Sequence, residues 1–222
     1  NTGIVGNLES LRSMTQMTEL SVYNTGIVGN LESLSSMKQL LHPHAARTAV
    51  SFGFKFPASL DWRSFSVPFP SLELLDVCGT KMNTELATFL AAFKFNVHLR
   101  TILADAAGLN GTADFAPQGC IAPGAQAQQY EWKEPAPRGL TTLSIKDNHI
   151  SGIMGPPPST LAVLILSNNP LTTLDNRFLK GSKLALEMHN IINPFDKIFP
   201  MDRNRQNGQG SYICLEPAST GL

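Results

Sequence analysis

Residues 1–17 read NTGIVGNLESLRSMTQM, and residues 24–40 read NTGIVGNLESLSSMKQL. The two stretches differ at three positions only, so 14 of 17 residues recur at a period of 23. Recurrence at a fixed period of this size is typical of repeat architectures, in which one supersecondary unit stacks on copies of itself. The duplication therefore predicts that the chain is a stretch of solenoid rather than a globular domain.

The apolar spacing within one unit indicates how the unit folds. Counted from Met17, the pattern is LxxLxLxxTxI, and it continues as xGxLxxLxxM. The L-x-L segment alternates with period 2, as a half-buried strand does, and each later unit is expected to add its strand in parallel. The Asn or Thr after the strand can bond backbone groups at the bend, and the glycine permits the tight turn that follows.

The same template recurs along the chain with declining quality. Units start at positions 17, 40, 72, 99, 140 and 161, which gives lengths of 23, 32, 27, 41 and 21 residues, so some units carry insertions. The second unit places Pro43 inside its strand, where proline is unfavourable. A degraded last unit is predicted to use Leu184, Leu186 and Ile191, with His189 in the Asn position.

The repeated LxxLxLxx[NT]x[LI]xGxL pattern resembles the leucine-rich repeat, and the GxLxxLxxM continuation is similar to its plant-type subclass. The resemblance implies an α/β solenoid: a right-handed superhelix with a parallel concave sheet, short or irregular convex segments, and one or two helices. Because the chain begins inside a repeat, we also expect it to be a fragment of a longer array.

The template divides the chain into segments. We predict leucine-rich repeats over 1–51, 72–111 and 140–192, with a convex helix near 83–95, where apolar residues have helical spacing. Residues 52–71 form an aromatic and proline-rich insertion that is expected to pack against the solenoid. Residues 112–139 are predicted to be a loop rich in Pro, Ala and Gln, and residues 193–222 a loosely ordered flank.

Composition restricts the classes of partner. The chain has 17 Lys and Arg against 17 Asp and Glu, and charged residues make up 15% of it. A balanced charge lacks the electrostatic footprint of a nucleic-acid binder, so no nucleic-acid partner is predicted. The longest apolar run, Leu161–Leu166, is far shorter than the roughly 18 residues of a membrane span. The three cysteines contain no CxxC pair and match neither a disulfide framework nor a zinc pattern.

Leucine-rich repeat proteins generally bind partners through the concave sheet, so the resemblance implies that its outward residues form the binding face. The fifth, seventh and eighth positions of each unit are predicted to point outward. Aromatic and Arg side chains dominate binding hot spots. Any of these positions is also compatible with an ordinary solvated residue. The residues favoured as anchors are Tyr23, His44, Arg47, Asp76, Asp105 and Lys146. The predicted contact residues are Tyr23, Asn24, His44, Arg47, Asp76, Asp105, Ser144, Lys146, Asp147 and Asn168.

Catalytic and cofactor motifs are absent from the sequence, which contains no GxSxG, HExxH, P-loop or GxGxxG. His42 and His44 lack a third ligand at a recognisable spacing, so we predict a surface turn rather than a metal pair. Cys78 lies on the outward side without an evident base, which argues against a nucleophile. Asn110 begins an Asn-Gly-Thr sequon for N-glycosylation, which matters only in a secretory compartment. We therefore predict no catalytic residue, no cofactor and no metal.

Together these patterns predict a non-enzymatic scaffold that binds a protein or peptide through the concave face. The alternative is the substrate-recognition region of a larger enzyme, such as a kinase, ligase or hydrolase, whose catalytic domain lies outside this fragment. Intracellular assembly without a sensing role is a third interpretation. The plant-type resemblance implies a receptor-like ectodomain, extracellular or membrane-anchored, with the cytoplasm as the alternative compartment.

Overall fold

The computed structural model describes residues 3–54, 69–115, 137–155, 157–174, 184–188 and 212–214. One α-helix, α1 (Leu86–Phe93), and two 3-10 turns, Leu8–Leu11 and Leu31–Leu34, occur in this part of the chain. The strands are β1 (Val5–Asn7), β2 (Glu19–Ser21), β3 (Gly26–Asn30), β4 (His42–His44), β5 (Ala49–Ser51), β6 (Leu74–Asp76), β7 (Thr101–Leu103), β8 (Asn110–Asp114), β9 (Thr142–Ser144), β10 (His149–Met154), β11 (Val163–Ile165), β12 (Thr173–Leu174), β13 (Ala185–Glu187) and β14 (Tyr212–Cys214).

Eight strands form the main sheet, in the order β2-β4-β6-β7-β9-β11-β13-β14. All neighbours from β2 to β13 are parallel, and β14 is antiparallel to β13. The register places the fourth residue of successive units side by side, as in Ile102 opposite Leu143 and Leu143 opposite Leu164, and these three side chains are fully buried. The predicted parallel ladder, with one strand from each of the six units, is confirmed.

The two near-identical units stack directly on each other. Gln39 Nε2 donates to Gln16 Oε1 over 3.0 Å, and the two glutamines stand 23 residues apart. Ser36 Oγ donates to the Arg12 carbonyl oxygen over 2.9 Å, and β1 pairs in parallel with β3. Contacts between residues one period apart are what stacking of equivalent units requires.

The last unit has a different register from the predicted one. Leu186 lies opposite Leu164, whereas the sequence assigned that position to Leu184, two residues earlier. A shift of two residues keeps every side chain on the same face of a strand, so the apolar alternation alone does not distinguish the two registers. His189 and Ile191 lie outside the described residues.

Pro43 occupies the middle of β4, and the pairing of β4 with β6 is correspondingly short. The other neighbouring strands of the main sheet pair over three residues, whereas β4 and β6 pair only at His44 and Asp76. Proline has no N–H to donate to a ladder, which accounts for the loss. The strand nevertheless forms, because Pro43 still packs as a buried residue opposite Leu20.

Strands also form on the other side of the solenoid, where the resemblance implied short or irregular segments. β1, β3 and β5 make a first side sheet, and β8, β10 and β12 make a second one. The predicted helix is present as α1, within the predicted range 83–95, and it buries Leu86, Phe89 and Phe93. Sequences of these side strands, such as GIVGN in β3 and NGTAD in β8, lack apolar alternation, so the pattern did not predict them.

The ends of the aromatic insertion pack into the core beside α1. Phe52 lies 5.1 Å from Phe54 and 5.6 Å from Phe89 between ring centroids, and Phe54 lies 6.2 Å from both Phe69 and Phe93. Tilted and edge-on aromatic contacts at these distances are favourable beyond the area they bury. The described ends of the insertion therefore pack as expected, and residues 55–68 lie outside the described part.

Two segments predicted to be irregular contain strand residues. β8 extends to Asp114 and Phe115 is buried, so the predicted loop at 112–139 begins as part of the second side sheet; residues 116–136 are not described. Within the predicted loose flank, Tyr212–Cys214 forms β14 by pairing with β13. In the parts of the chain that the structure describes, no helix is long and apolar enough to cross a membrane.

The eighth position of each unit takes a left-handed backbone conformation. The residues there are Asn24 (φ 53°), Arg47 (φ 56°), Gly79 (φ 64°), Ala106 (φ 51°), Asp147 (φ 56°) and Asn168 (φ 59°). Only glycine adopts this conformation without steric cost, and Asn and Asp tolerate it better than other residues. The turn that ends each strand of the main sheet therefore imposes one backbone geometry on six different sequences.

Changing Gly79 to alanine is expected to lower the free energy of unfolding by about 1 kcal/mol, because a Cβ is strained at positive φ. The added Cβ would meet Arg47 Cγ at 3.5 Å, an ordinary contact, so the cost comes from the backbone. The reverse change at the equivalent position, Ala106→Gly, is expected to raise the free energy of unfolding by up to about 1 kcal/mol. Urea unfolding of both variants measures this, and shifts of the same sign would contradict the assignment.

Candidate functional site

The solvent-facing side of the main sheet is called here the outer face, and it is the face for which the repeat pattern predicted a concave binding surface. It is built from alternate residues of the parallel strands. Because side chains alternate along a strand, the third, fifth and seventh positions of each unit share this face. From β2 to β11 they are Glu19, Ser21 and Tyr23; His42, His44 and Ala46; Leu74, Asp76 and Cys78; Thr101, Leu103 and Asp105; Thr142, Ser144 and Lys146; and Val163, Ile165 and Ser167. The sequence reading missed the third positions, although strict alternation would have included them.

His42 lies between two carboxylates contributed by other units. Its Nδ1 is 3.8 Å from Glu19 Oε1, and its Nε2 is 3.5 Å from Glu73 Oε2. The side chains of Glu19 and Glu73 are 77% and 54% exposed, so both remain accessible from solvent. The three residues form a small acidic area at the β2–β6 side of the outer face.

His44 and Asp76, both predicted contact residues, are brought together on adjacent strands. His44 Nδ1 lies 3.5 Å from Asp76 Oδ2, and the Cys78 backbone N–H donates to Asp76 Oδ1 over 3.2 Å. The side chain of Asp76 is only 17% exposed. Asp76 is therefore held in place by its own strand end while its second oxygen faces the histidine.

Tyr23 and Arg47, two of the residues favoured as anchors, also lie together. The Arg47 guanidinium carbon is 5.6 Å from the centroid of the Tyr23 ring, within the range of a cation–π interaction. Tyr23 is 47% exposed and Arg47 is exposed as well. The pair presents a flat aromatic and cationic surface at the end of the outer face nearest β2.

Asp105 organises the centre of the outer face. Its Oδ1 accepts a hydrogen bond from Ser144 Oγ over 2.6 Å and another from the Lys146 backbone N–H over 2.9 Å. Ser144 is only 3% exposed, so this predicted contact residue lies at the bottom of the face. The Asp105 carboxylate therefore joins its own unit to two other predicted contact residues, Ser144 and Lys146, in the next unit.

Aliphatic side chains occupy outward positions that the sequence analysis did not select as anchors. Leu74, Leu103, Val163 and Ile165 lie on the outer face and are half-buried. The register places Leu103 and Ile165 on either side of Ser144. Because the buried serine is smaller than the aliphatic residues on either side, we infer a shallow depression with apolar walls, called here the apolar depression.

The remaining predicted contact residues sit at the turns rather than on the strands. Asn24, Asp147 and Asn168 hold the left-handed eighth positions. Asn168 Nδ2 donates to Asp147 Oδ1 over 2.5 Å, and Lys146 Nζ lies 3.7 Å from Asp147 Oδ2. They therefore border the outer face along one edge.

The fold is shared with a plant receptor structure. No protein-family model matches the chain, and no curated protein matches its sequence. The chain is similar to the LRR ectodomain of the plant membrane receptor kinase GASSHO1/SCHENGEN3 from Arabidopsis thaliana, with a TM-score of 0.52 and 17% identity over 87% of this chain and 24% of that one. The chain folds as a leucine-rich repeat solenoid. A weaker similarity, with a TM-score of 0.47 and 16% identity, links 76% of it to 27% of the plant peptide hormone receptor RGFR1.

This leucine-rich repeat chain spans about a quarter of the length of the two receptor structures. The leucine-rich repeat solenoid fold predicted from the repeat pattern is confirmed. Within the described residues, no group of three or more His, Cys, Asp or Glu side chains could hold a metal ion. Asn110, the acceptor of the predicted sequon, is exposed at the start of β8 on the second side sheet, away from the outer face.

Cys78 of the leucine-rich repeat sheet is a half-buried thiol. Burial raises its pKa from the ordinary 9.0 to about 12, and the negative charges of Asp76 and Asp105 add to the shift. Its Sγ accepts a hydrogen bond from the Asp105 backbone N–H at 3.4 Å. Since the thiolate is the nucleophile, a raised pKa lowers reactivity at neutral pH.

We expect iodoacetamide at about pH 8 to alkylate Cys78 roughly tenfold or more slowly in the folded chain than in the urea-unfolded chain, because so little thiolate is present. In the folded chain the rate should keep rising well above pH 9.0, toward the raised pKa of about 12. Mass spectrometry of the peptide that contains Cys78 measures the rate separately from the other cysteines. Equal rates in the two states would contradict the assignment.

Proposed function

We propose that this chain is a non-catalytic recognition module that binds a protein or peptide segment across the outer face of its main sheet. The observation that carries the proposal is the composition of that face over six stacked strands. An exposed aromatic–arginine pair, Tyr23 and Arg47, two accessible carboxylates, Glu19 and Glu73, and a row of half-buried aliphatic residues share one surface. Aromatic and Arg side chains in such a mixed surface are typical of binding hot spots.

The shared fold supports the same interpretation. The structure of the GASSHO1/SCHENGEN3 ectodomain was determined in complex with CASPARIAN STRIP INTEGRITY FACTOR 2. We infer that the present chain likewise belongs to a receptor-like protein, and that a glycan on Asn110 would leave the outer face open. The predicted contact residues Asn24, Asp147 and Asn168 would then border the ligand, and Asp76, Asp105 and Ser144 would shape the surface beneath it.

The test is selection of ligands from a random dodecapeptide display library, followed by affinity measurement on variants. Thr101 and Thr142 are adjacent, half-buried residues in the centre of the outer face. Changing both to arginine places two long side chains across any ligand that lies there, so affinity for the selected peptides should fall about tenfold or more, with clash and desolvation adding to the loss.

A matched variant carries Ser10→Arg and Ser13→Arg. These two exposed residues lie in and just after the first 3-10 turn, outside the strands that form the outer face. This variant adds the same charge and is expected to leave affinity unchanged. If the selected peptides bind the Thr101→Arg, Thr142→Arg variant as tightly as the wild type, the outer face is not the binding surface.

A further inference from the structure

Charge is distributed unevenly over the outer face. The third, fifth and seventh positions from β2 to β7 include Glu19, Asp76 and Asp105 but no Lys or Arg, and Glu73 adds a further carboxylate beside His42. Arg47 lies over Tyr23, Arg100 donates to the Gly139 carbonyl oxygen over 2.9 Å, and Lys146, beside Asp105, has its ammonium nitrogen 3.7 Å from Asp147 Oδ2. The β2–β7 part of the face is therefore acidic although the whole chain has no net charge.

The four carboxylates differ in what they can offer a ligand. Asp105 already accepts hydrogen bonds from Ser144 and the Lys146 backbone, and Asp76 is largely buried beside His44. Glu19 and Glu73, in contrast, are more than half exposed. Within the described residues, the ionic neighbour of each is His42, which lies 3.8 Å from Glu19 and 3.5 Å from Glu73. A cationic ligand group would therefore be drawn to Glu19 and Glu73, where approach costs little desolvation.

The apolar depression lies a fixed distance from these carboxylates. It is centred on β9, where Ser144 lies between Leu103 and Ile165, and the acidic area is centred on β4. β4 and β9 are three strand spacings apart, or about 14 Å at about 4.8 Å per spacing. Ser144 also lies two residues further along its strand than His42, an offset of about 7 Å, so the direct distance is about 16 Å. An extended peptide advances about 3.3 Å per residue, so about five residues cover this distance.

Resting on the proposed function, we propose that the outer face binds an extended peptide segment with a Lys or Arg side chain at Glu19 and Glu73 and an aliphatic side chain about five residues away, seated between Leu103 and Ile165. The segment crosses the strands of the main sheet rather than running along one of them. The acidic area selects the cation, and the depression over Ser144 selects the aliphatic residue by its size. Charge complementarity and the spacing between the two areas together define the ligand class.

The experiment selects binders from the random dodecapeptide library and then measures affinity on two pairs of variants. We expect the selected peptides to share a basic and an aliphatic residue about five positions apart. Glu19→Lys with Glu73→Lys should weaken their binding about tenfold, because like charges then face each other. Leu103→Thr with Ile165→Thr should weaken it about tenfold as well, by removing the apolar contact.

Each double variant has a control with the same chemical change on another surface. Glu9→Lys with Glu32→Lys makes the identical charge change at the 3-10 turns, and Ile4→Thr with Val28→Thr removes exposed aliphatic residues near the first side sheet. Both controls should bind as the wild type does. Raising the ionic strength from about 0.1 M to about 1 M shortens the screening length from about 10 Å to about 3 Å and should weaken binding by the wild type.

The outcomes separate this inference from the proposed function. Peptides that lose affinity for the Thr101→Arg, Thr142→Arg variant but carry no basic and aliphatic pair would overturn the ligand class and leave the outer face as the binding surface. Peptides whose affinity is unchanged in every outer-face variant would overturn both proposals. Recovery of no binder from the library would likewise count against a peptide ligand.

Discussion

Replacing Asn148 with alanine is expected to lower the free energy of unfolding by about 3–5 kcal/mol, because the change leaves buried backbone groups without their hydrogen-bond partner. Asn148 is 3% exposed, and its amide satisfies polar groups of two consecutive units. Oδ1 accepts from the N–H groups of Ala107 (3.1 Å) and Leu109 (2.9 Å), and Nδ2 donates to the carbonyl oxygens of Ala104 (2.8 Å), Ile145 (2.9 Å) and Lys146 (3.0 Å).

Urea unfolding followed by circular dichroism measures the loss. Two further variants serve as a control at another asparagine and as a partial rescue at position 148. Asn24→Gly changes an asparagine at a left-handed turn, where glycine is equally suited, and should shift the free energy of unfolding by less than about 0.5 kcal/mol. Asn148→Thr should recover part of the loss, since Thr48 and Thr80 occupy the same position in other units and donate to a carbonyl oxygen over 2.6 Å. A loss under about 1 kcal/mol for Asn148→Ala would show that the amide does not bridge the units.

Replacing Phe89 with alanine is expected to cost about 3–5 kcal/mol, since it opens a cavity in the aromatic cluster beside α1. Phe89 is fully buried, and its ring centroid lies 5.6 Å from that of Phe52 and 5.5 Å from that of Phe93. These contacts join α1 to the start of the aromatic insertion. Because each unit of a solenoid contacts only its neighbours, the damage should be greatest in the units that flank α1.

Phe95→Ala is the matched control, because this phenylalanine follows α1 but is 40% exposed. It should cost less than about 1 kcal/mol, and Phe89→Leu should recover much of the loss by refilling the cavity. Hydrogen exchange would locate the loss: amides of β6 to β8 should lose protection before those of β2 and β3. Equal effects of the Phe89 and Phe95 changes would contradict the packing described for α1.

Much of the fold could be predicted from the sequence because each unit repeats the same spacing of apolar and polar residues. The L-x-L alternation located six of the eight strands of the main sheet, and the apolar spacing after residue 83 located α1. The Asn and Thr positions were correctly interpreted as backbone-bonding residues, as Asn148 and Thr48 show. The side sheets were missed because their sequences, such as GIVGN in β3 and NGTAD in β8, lack the alternation of apolar and polar residues.

The candidate site was predicted less completely than the fold. Counting along the units placed Tyr23, Arg47, His44 and Asp76 near one another, and the structure has them in two contacting pairs. Counting did not reveal that Ser144 is buried against Asp105, because a pattern in one chain segment carries no information on which neighbour it faces. Glu73 was missed because it precedes its strand and reaches the outer face only beside His42.

The sequence by itself determined the repeating unit, the parallel order of its strands and the residues that point inward, because these depend on spacing within about 23 residues. Only the tertiary structure decided which outward residues meet, such as His42 with Glu19 and Glu73, or Leu103 and Ile165 around Ser144. The physical reason is that units of unequal length are aligned by backbone pairing and core packing between neighbours. A period of two in the strands is satisfied equally well by any register shifted by two residues, as Leu184 and Leu186 illustrate.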